Sequence, residues 1–274
     1  MLTATQSSSD LALIRALLPA VLEAGNRILA IREAGHAVEL KADSTPVTEA
    51  DRAAEAIILA ALAALAPGLP VIAEEEAAAG RLPPVGADFV LVDPLDGTKE
   101  FVAGNADFTV NVGLARNGRA VAGIVHAPAS GLLWFGAVGE GAWRVGEGRF
   151  HAAEPIAVRE PLEDVLDIVA SRSHRNAATD TFLARFAGSR IVSAGSSLKF
   201  VAVAEGRADL YPRLGPTSQW DTAAGDAVLR AAGGRVLRLD GTDLTYGPLP
   251  GAVGAKAFLN PSFVATGPLD PFAA

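Results

Sequence analysis

Acidic side chains gather at four places in this chain: Pro46-Val47-Thr48-Glu49-Ala50-Asp51, Glu74-Glu75-Glu76, Asp93-Pro94-Leu95-Asp96-Gly97-Thr98 and Trp220-Asp221. Carboxylates that converge without cysteine or clustered histidine form the donor set of hard divalent cations, Mg²⁺ above all. The third motif is the most pointed. Its Pro-Leu insert turns the chain so that Asp93 and Asp96 flank one backbone carbonyl, that of Leu95. Gly97 and Thr98 then bring amides and a hydroxyl to the same point. Amides at a helix start cradle phosphate, and metal ions beside phosphate mean metal-assisted phosphoryl chemistry.

The other clusters each have a plainer reading beside the chemical one. Thr48 and Asp51 make a helix N-cap with an acid three residues on. The glutamate triplet suits a solvated turn, and Asp221 suits a helix cap. Gly195-Ser196-Ser197 precedes an apolar helical stretch, so it either meets a second phosphate or only caps that helix. Lys199 and Arg213 are either phosphate contacts or surface charges. Trp134 and Trp143 read as core or rim. The histidines at 36, 126, 151 and 174 are scattered, and no GxxxxGK[ST], GxGxxG or GxSxG loop occurs.

These groups need a scaffold that brings strand ends and helix starts together. Apolar spacing predicts helices over 11–31 and 48–66, then short buried strands at 71–73 and 89–92 that end in acids. Residues 108–115 alternate, Asn117-Gly118 marks a hairpin, and 120–125, 132–138 and 142–145 continue an antiparallel meander. After about residue 152 the texture alternates: strand 166–170, helix 176–186, strand 190–193, helix 197–204, strand 208–211, helix 222–232, strand 236–239. We therefore expect an α/β protein whose N-terminal half (1–153) is α+β and holds most metal ligands. A C-terminal α/β half (154–274) would supply Asp221.

Composition narrows the function. The chain has 274 residues, 50% of them hydrophobic, which is ample for a core; Lys and Arg total 23 against 31 acids, a net charge of -8. No basic surplus exists to grip a nucleic-acid polymer. The absence of cysteine removes thiol nucleophiles, zinc-thiolate sites and iron–sulfur clusters. The start, MLTATQSSSD, lacks a signal peptide's basic and apolar regions. The stretch 11–31 is broken by Arg15, Pro19, Glu23, Asn26 and Arg27. A cytoplasmic, soluble protein is expected, with peripheral membrane contact left open.

DPLDGTKEF, with PVTEAD upstream and WDTAAG downstream, resembles the inositol monophosphatase superfamily of Mg²⁺-dependent, lithium-sensitive phosphatases. FTVN (108–111), SRSH (171–174), GSSLKF (195–200), AEG (204–206), LYPR (210–213) and GPT (215–217) resemble its bacterial 3'(2'),5'-bisphosphate nucleotidases of the CysQ type. The likeness runs from about Leu11 to Phe263. It implies a layered αβαβα sandwich of the sugar-phosphatase type. It also implies two or three Mg²⁺ ions held by Glu74, Asp93, the Leu95 carbonyl, Asp96 and Asp221, with Asp51 and Thr98 orienting and deprotonating the attacking water. Glu74 is preferred to Glu75 because it holds the family spacing to Asp93. Substrate contacts fall on Glu74, Leu95, Asp96, Gly97, Thr98, Ser196, Lys199 and Asp221. Ala73 departs from the Ser or Gly usual before the glutamates, which removes a hydroxyl contact. The implied partner is a small phosphorylated molecule, and the implied assembly a monomer or homodimer. The expected reaction converts adenosine 3',5'-bisphosphate to AMP and phosphate and serves sulfate assimilation. The alternatives are an inositol or sugar phosphatase on the same core and a catalytically silent anion-binding protein.

Overall fold

A computed structural model describes residues 9–35, 38–40, 46–146, 152–161, 165–171 and 176–273. Helix α1 (Asp10–Ala34) begins at Ser9, whose hydroxyl accepts from the Ala12 amide. A short antiparallel ribbon, β1 (Val38–Leu40) with β2 (Pro46–Thr48), leads into α2 (Glu49–Leu65). The next strands are β3 (Val71–Ala73), β4 (Asp88–Asp96), β5 (Thr109–Arg116), β6 (Arg119–Ala127), β7 (Leu132–Ala137), β8 (Gly141–Gly146) and β9 (Glu154–Ile156). They lie side by side in chain order as a seven-stranded sheet, parallel between β3 and β4 and antiparallel elsewhere. Two short helices hang from its strand ends, α3 (Glu74–Ala78) after β3 and α4 (Thr98–Val102) after β4.

The second sheet is built from β10 (Asp167–Ser171), β11 (Arg190–Ala194), β12 (Leu210–Arg213), β13 (Arg235–Arg238) and β14 (Phe263–Thr266). Its order is β11-β10-β12-β14-β13, with α5 (Ala177–Leu183), α6 (Leu198–Ala204) and α7 (Ala223–Ala231) between its strands in the chain. Both sheets are covered on both faces. On β4, Val90 and Val92 pack with Ile14, Val21 and Ile58 of α1 and α2, whereas Phe89 and Leu91 pack with Val201 and Val228 of α6 and α7. That two-sided burial is why β4 reads as a continuous apolar run and not as an alternation. Phe182 and Leu183 of α5 close the far face of the second sheet over Ile168, Leu210 and Val264. The layers therefore run helix, sheet, helix, sheet, helix, the αβαβα sandwich expected from the sequence.

Several elements differ from the sequence reading. The ribbon β1–β2, the edge strand β9, the helix α3 and the strand β14 are absent from the sequence reading, whereas the helix start read at Gly97-Thr98 is α4. The strand placed at 208–211 runs instead over Leu210–Arg213. Pro212 inside it has no N–H to donate, which sequence pattern counts against a strand. It is tolerated because β12 pairs with β10 only at Leu210. Part of the segment 171–174, namely 172–174, lies outside the described residues, as do His36, His151 and His174.

The central contact is between α7 and the first sheet. Gly113 on β5, Gly123 on β6 and Gly136 on β7 are cross-strand partners in one row. A Cβ on Gly113 would stand 2.7 Å from the Ala223–Ala224 backbone, one on Gly123 2.5 Å from the Ala224 carbonyl, and one on Gly136 2.9 Å from the Ala231 methyl. The glycine row lets α7 lie directly on the strands. Asp221, just before α7, is thereby set against the end of β4. Gly123→Ala should force the helix off the sheet and cost on the order of 1–3 kcal/mol. In urea melts the midpoint should fall with an unchanged slope; an unchanged midpoint would mean that the helix has room to spare.

Candidate active site

The acidic clusters meet at one cleft of about 1180 Å³, lined by Glu74, Asp93, Leu95, Asp96, Gly97, Thr98, Ser196, Lys199 and Asp221 among others. Asp51 stands behind it, 1% exposed, and reaches it through Thr98, whose hydroxyl donates to Asp51 Oδ1 at 3.2 Å. Every residue singled out from the sequence for catalysis, metal or substrate is therefore either on this cleft or one hydrogen bond behind it.

Each group is aimed by its local chain. At the end of β4 the pairing with β5 slips between Asp93 and Asp96, so Pro94-Leu95 forms a bulge. Asp93 Oδ1 accepts from the Leu95 amide at 3.0 Å, and the Leu95 carbonyl accepts from Thr98 Oγ1 at 3.1 Å. Gly97 takes φ +93°, and a Cβ there would come within 2.9 Å of the Asp107 carbonyl. The turn into α4 therefore requires glycine.

The plainer readings coexist with a place at or just behind the cleft. Asp51 Oδ2 accepts from Thr48 N at 2.7 Å and Thr48 Oγ1 at 2.8 Å, so it does cap α2; its Oδ1 is the atom that meets Thr98. Asp221 Oδ2 likewise accepts from Ser218 N at 2.9 Å. In both cases the cap fixes one oxygen and so orients the whole carboxylate. The glutamate triplet is not a solvated turn but the first turn of α3. Ser197 makes no side-chain cap on α6; its hydroxyl donates to the Asp221 carbonyl at 2.9 Å.

Ser196 adopts φ +52°, unusual for a residue with a Cβ. Its hydroxyl donates to Asp96 Oδ2 at 2.6 Å and lies 2.5 Å from Thr109 Oγ1. Lys199 Nζ donates to the Ser196 carbonyl at 2.5 Å and sits 5.3 Å from the centre of the Tyr211 ring. Lys199 and Arg213 are not surface charges: they are 4% and 9% exposed. Both line the cleft. Arg213 Nη2 donates to the Pro216 carbonyl at 2.8 Å, and its buried Nε has no partner among the described residues. Burial, with the nearby Arg213 charge, lowers the Lys199 ammonium to about 8 despite Asp96, Asp107 and Asp221. Sequence reasoning left Arg213 undecided because a lone arginine after a strand carries no sign of burial.

Trp134 is buried with its indole N–H on Glu205, and Trp143 stacks on Phe135, so neither faces the cleft. His126 is buried on β6 with Nδ1 3.0 Å from the Leu132 carbonyl.

Among the described residues the acids are not gathered into a closed cage of three or more ligands. Their electrostatics nonetheless suit a cation. Burial, then the charges of Asp96 and Glu74, push the Asp221 carboxyl well above its ordinary range. A divalent ion would relieve that strain, and carboxylates with a carbonyl are the oxygen donors it takes. No described helix is long and apolar enough to cross a membrane.

One further acid was missed. Glu55 on α2 is 4% exposed and accepts from the amides of Glu75 at 2.8 Å and Glu76 at 3.1 Å, which anchors the start of α3 beside Glu74. Nothing in the sequence links residue 55 to residue 75.

The chain matches the model of the inositol monophosphatase family over residues 11–266. It is 41% identical over 245 residues to the 3'(2'),5'-bisphosphate nucleotidase CysQ of Salmonella typhimurium, covering 89% of this chain and 95% of that one. It is 40% identical over 242 residues to the enzyme of the same name from Escherichia coli K12, covering 88% and 94%. Among solved structures it is similar to CysQ from Bacteroides thetaiotaomicron, with TM-score 0.76 and 34% identity over 93% of this chain and 97% of that one. It is also similar to an inositol monophosphatase from Anabaena, with TM-score 0.68 and 28% identity over 90% and 87%.

Burial raises the Glu55 carboxyl from 4.5 to about 7. Its folded value lies above its unfolded value, so the native state holds an extra proton between those pH values. The stabilisation from that proton is full below pH 4.5 and is lost as pH rises through 7. In metal-stripped protein, wild type should lose melting temperature relative to Glu55→Gln across that window. A constant difference between the two would show that Glu55 titrates normally.

Proposed function

The chain belongs to the inositol monophosphatase family, and on that premise we propose that it is a 3'(2'),5'-bisphosphate nucleotidase. It would remove the 3'-phosphate of adenosine 3',5'-bisphosphate to give AMP and inorganic phosphate, in the service of sulfur metabolism in the cytoplasm. Identity of about 40% to nucleotidases over most of the chain supports that substrate class. The observation within the cleft that carries it is the buried Lys199–Arg213 pair beside the acidic cluster. Two cations withdrawn from water, neither in an ion pair with a described carboxylate, favour an anion between them. A substrate with two phosphates offers one to the acidic cluster and its metal and one to this pair, where charge-assisted hydrogen bonds form.

Glu74, Asp93, the Leu95 carbonyl, Asp96 and Asp221 would hold two or three Mg²⁺ ions. Bound there, a divalent ion supplies neutralisation of phosphate charge and acidification of the attacking water. The chain's own residues supply position and a proton path. The Thr98 hydroxyl is shared between Asp51 Oδ1 and the Leu95 carbonyl, so its oxygen lone pairs are free to accept from a water in the cleft. Asp51, held by its cap, is the acceptor to which that proton passes. Ser196, locked onto Asp96, keeps the wall between acid cluster and cation pair in a fixed conformation.

Phosphate release should vanish with chelator and return with Mg²⁺, and lithium and calcium should inhibit. The value of kcat/KM for adenosine 3',5'-bisphosphate should exceed that for AMP or inositol 1-phosphate. Lys199→Ala should weaken the bisphosphate reaction more than either monophosphate reaction. A preference for inositol 1-phosphate would move the assignment to that branch of the family, and metal binding without release from any substrate would favour a silent anion-binding protein.

Asp51→Asn and Thr98→Ala test the proton path separately. Each should lower kcat by roughly 10²–10⁴-fold with KM little changed. If Asp51 served only as a cap, its loss would cost about 0.5–2 kcal/mol of stability and leave kcat intact.

A further inference from the structure

The loop that carries Asp221 is tied down by the Ser197 hydroxyl on the Asp221 carbonyl, by Gln219 on the Gly247 backbone and, at three of its residues at once, by Asn260. Asn260 follows the single helical turn Gly254–Phe258 and is 9% exposed. Its Nδ2 donates to the Ser218 carbonyl at 2.8 Å and to the hydroxyls of Thr217 and Thr222, each at 3.0 Å. Its backbone N–H donates to the Thr217 carbonyl at 2.8 Å. The neighbouring Leu259 forms an isolated antiparallel bridge with Ser218. An amide NH₂ has two protons, so three acceptors share them, a fork that serves both sides of the loop. The Thr222 hydroxyl donates to the Gln219 carbonyl at 3.2 Å, which leaves its lone pairs to accept from Asn260 and from the Tyr246 hydroxyl at 3.4 Å.

The partners bracket Asp221: Thr217 and Ser218 come before it, Thr222 comes after. Ser218 is also the residue whose amide holds Asp221 Oδ2. Fixing Ser218 therefore fixes one carboxylate oxygen and sets the direction of the other. Within the loop, Ser218 and Asp221 form a reciprocal capping box across a single 3-10 turn, and Asn260 holds that box in place from outside through the Ser218 carbonyl. Asn260 does not line the cleft. It touches neither substrate nor reacting atoms.

We propose that Asn260 is the positioning residue of Asp221, clamping residues 217–222 so that this carboxylate stands ready for a divalent cation together with Glu74 and Asp96. The inference rests on the metal-dependent phosphatase reading above. Groups that orient a metal ligand affect metal affinity or activity by roughly 10–100-fold when removed. A role confined to loop stability would move the melting temperature and leave metal affinity alone.

The test is a titration of metal-stripped full-length protein with Mn²⁺, reading free Mn²⁺ by electron paramagnetic resonance, beside thermal melts without metal. Asn260→Ala should weaken the Mn²⁺ dissociation constant by roughly 10–100-fold. Where that variant does not yield folded protein, Asn260→Ser makes the same comparison and should shift in the same direction. Mn²⁺ binding within twofold of wild type in the folded variant overturns the role of Asn260, whatever its melting temperature. Failure of wild type itself to bind Mn²⁺ overturns the reading of the site on which the inference rests.

Discussion

Bringing several carboxylates to one buried place is the constraint around which this molecule is built. Burial, then the charges of Asp96 and Glu74, raise the cost of ionising Asp221. No stable fold gathers such groups for packing alone, because each would gain more from water. The structure accepts the cost by holding every one of them from outside. Asp51 and Asp221 are each caught in a cap, Asp93 in a turn onto the Leu95 amide, and Asp96 by the Ser196 hydroxyl. The start of α3 is anchored by Glu55.

Because those groups come from both sheets, the distance between the sheets' elements matters as much as the loops. The row of Gly113, Gly123 and Gly136 brings α7 to backbone contact with the first sheet. Asp221 arrives at the head of that helix and Asp96 at the end of β4. Core packing and site geometry are thus one feature: a methyl group added in the row would displace a carboxylate some elements away. Lys199 of α6 and Arg213 of β12 line the same cleft, so their positive charge stands beside its acids.

How much of this was legible beforehand depended on the range over which each residue acts. Asp93 to Thr98 spells out its bulge in consecutive residues, and the Asn117-Gly118 hairpin is equally local. Apolar periodicity marked the main helices and strands, and the layer order came from the family resemblance. The capping and chemical readings of Asp51 and Asp221 competed on sequence grounds, yet each side chain has two oxygens, and the cap takes one and leaves the other for the cleft side. Glycines 113, 123 and 136 have no visible meaning until strand register makes them neighbours. Glu55 and Asn260 act across about twenty and forty residues of chain, on amides and hydroxyls that no pattern marks. Strand β14 was missed because its place between β12 and β13 is set by pairing and not by propensity. Whether Lys199 and Arg213 are buried or exposed was a question about layers, answered only once the layers were in place.

The most direct measurement of the central claim is anomalous X-ray scattering from crystals soaked in Mn²⁺ with adenosine 3',5'-bisphosphate. The expected result is anomalous peaks within the carboxylates of Glu74, Asp93, Asp96 and Asp221, with one phosphate of the ligand against them and the other beside Lys199 and Arg213. Peaks confined to surface carboxylates, with the cleft acids free of metal, would contradict it.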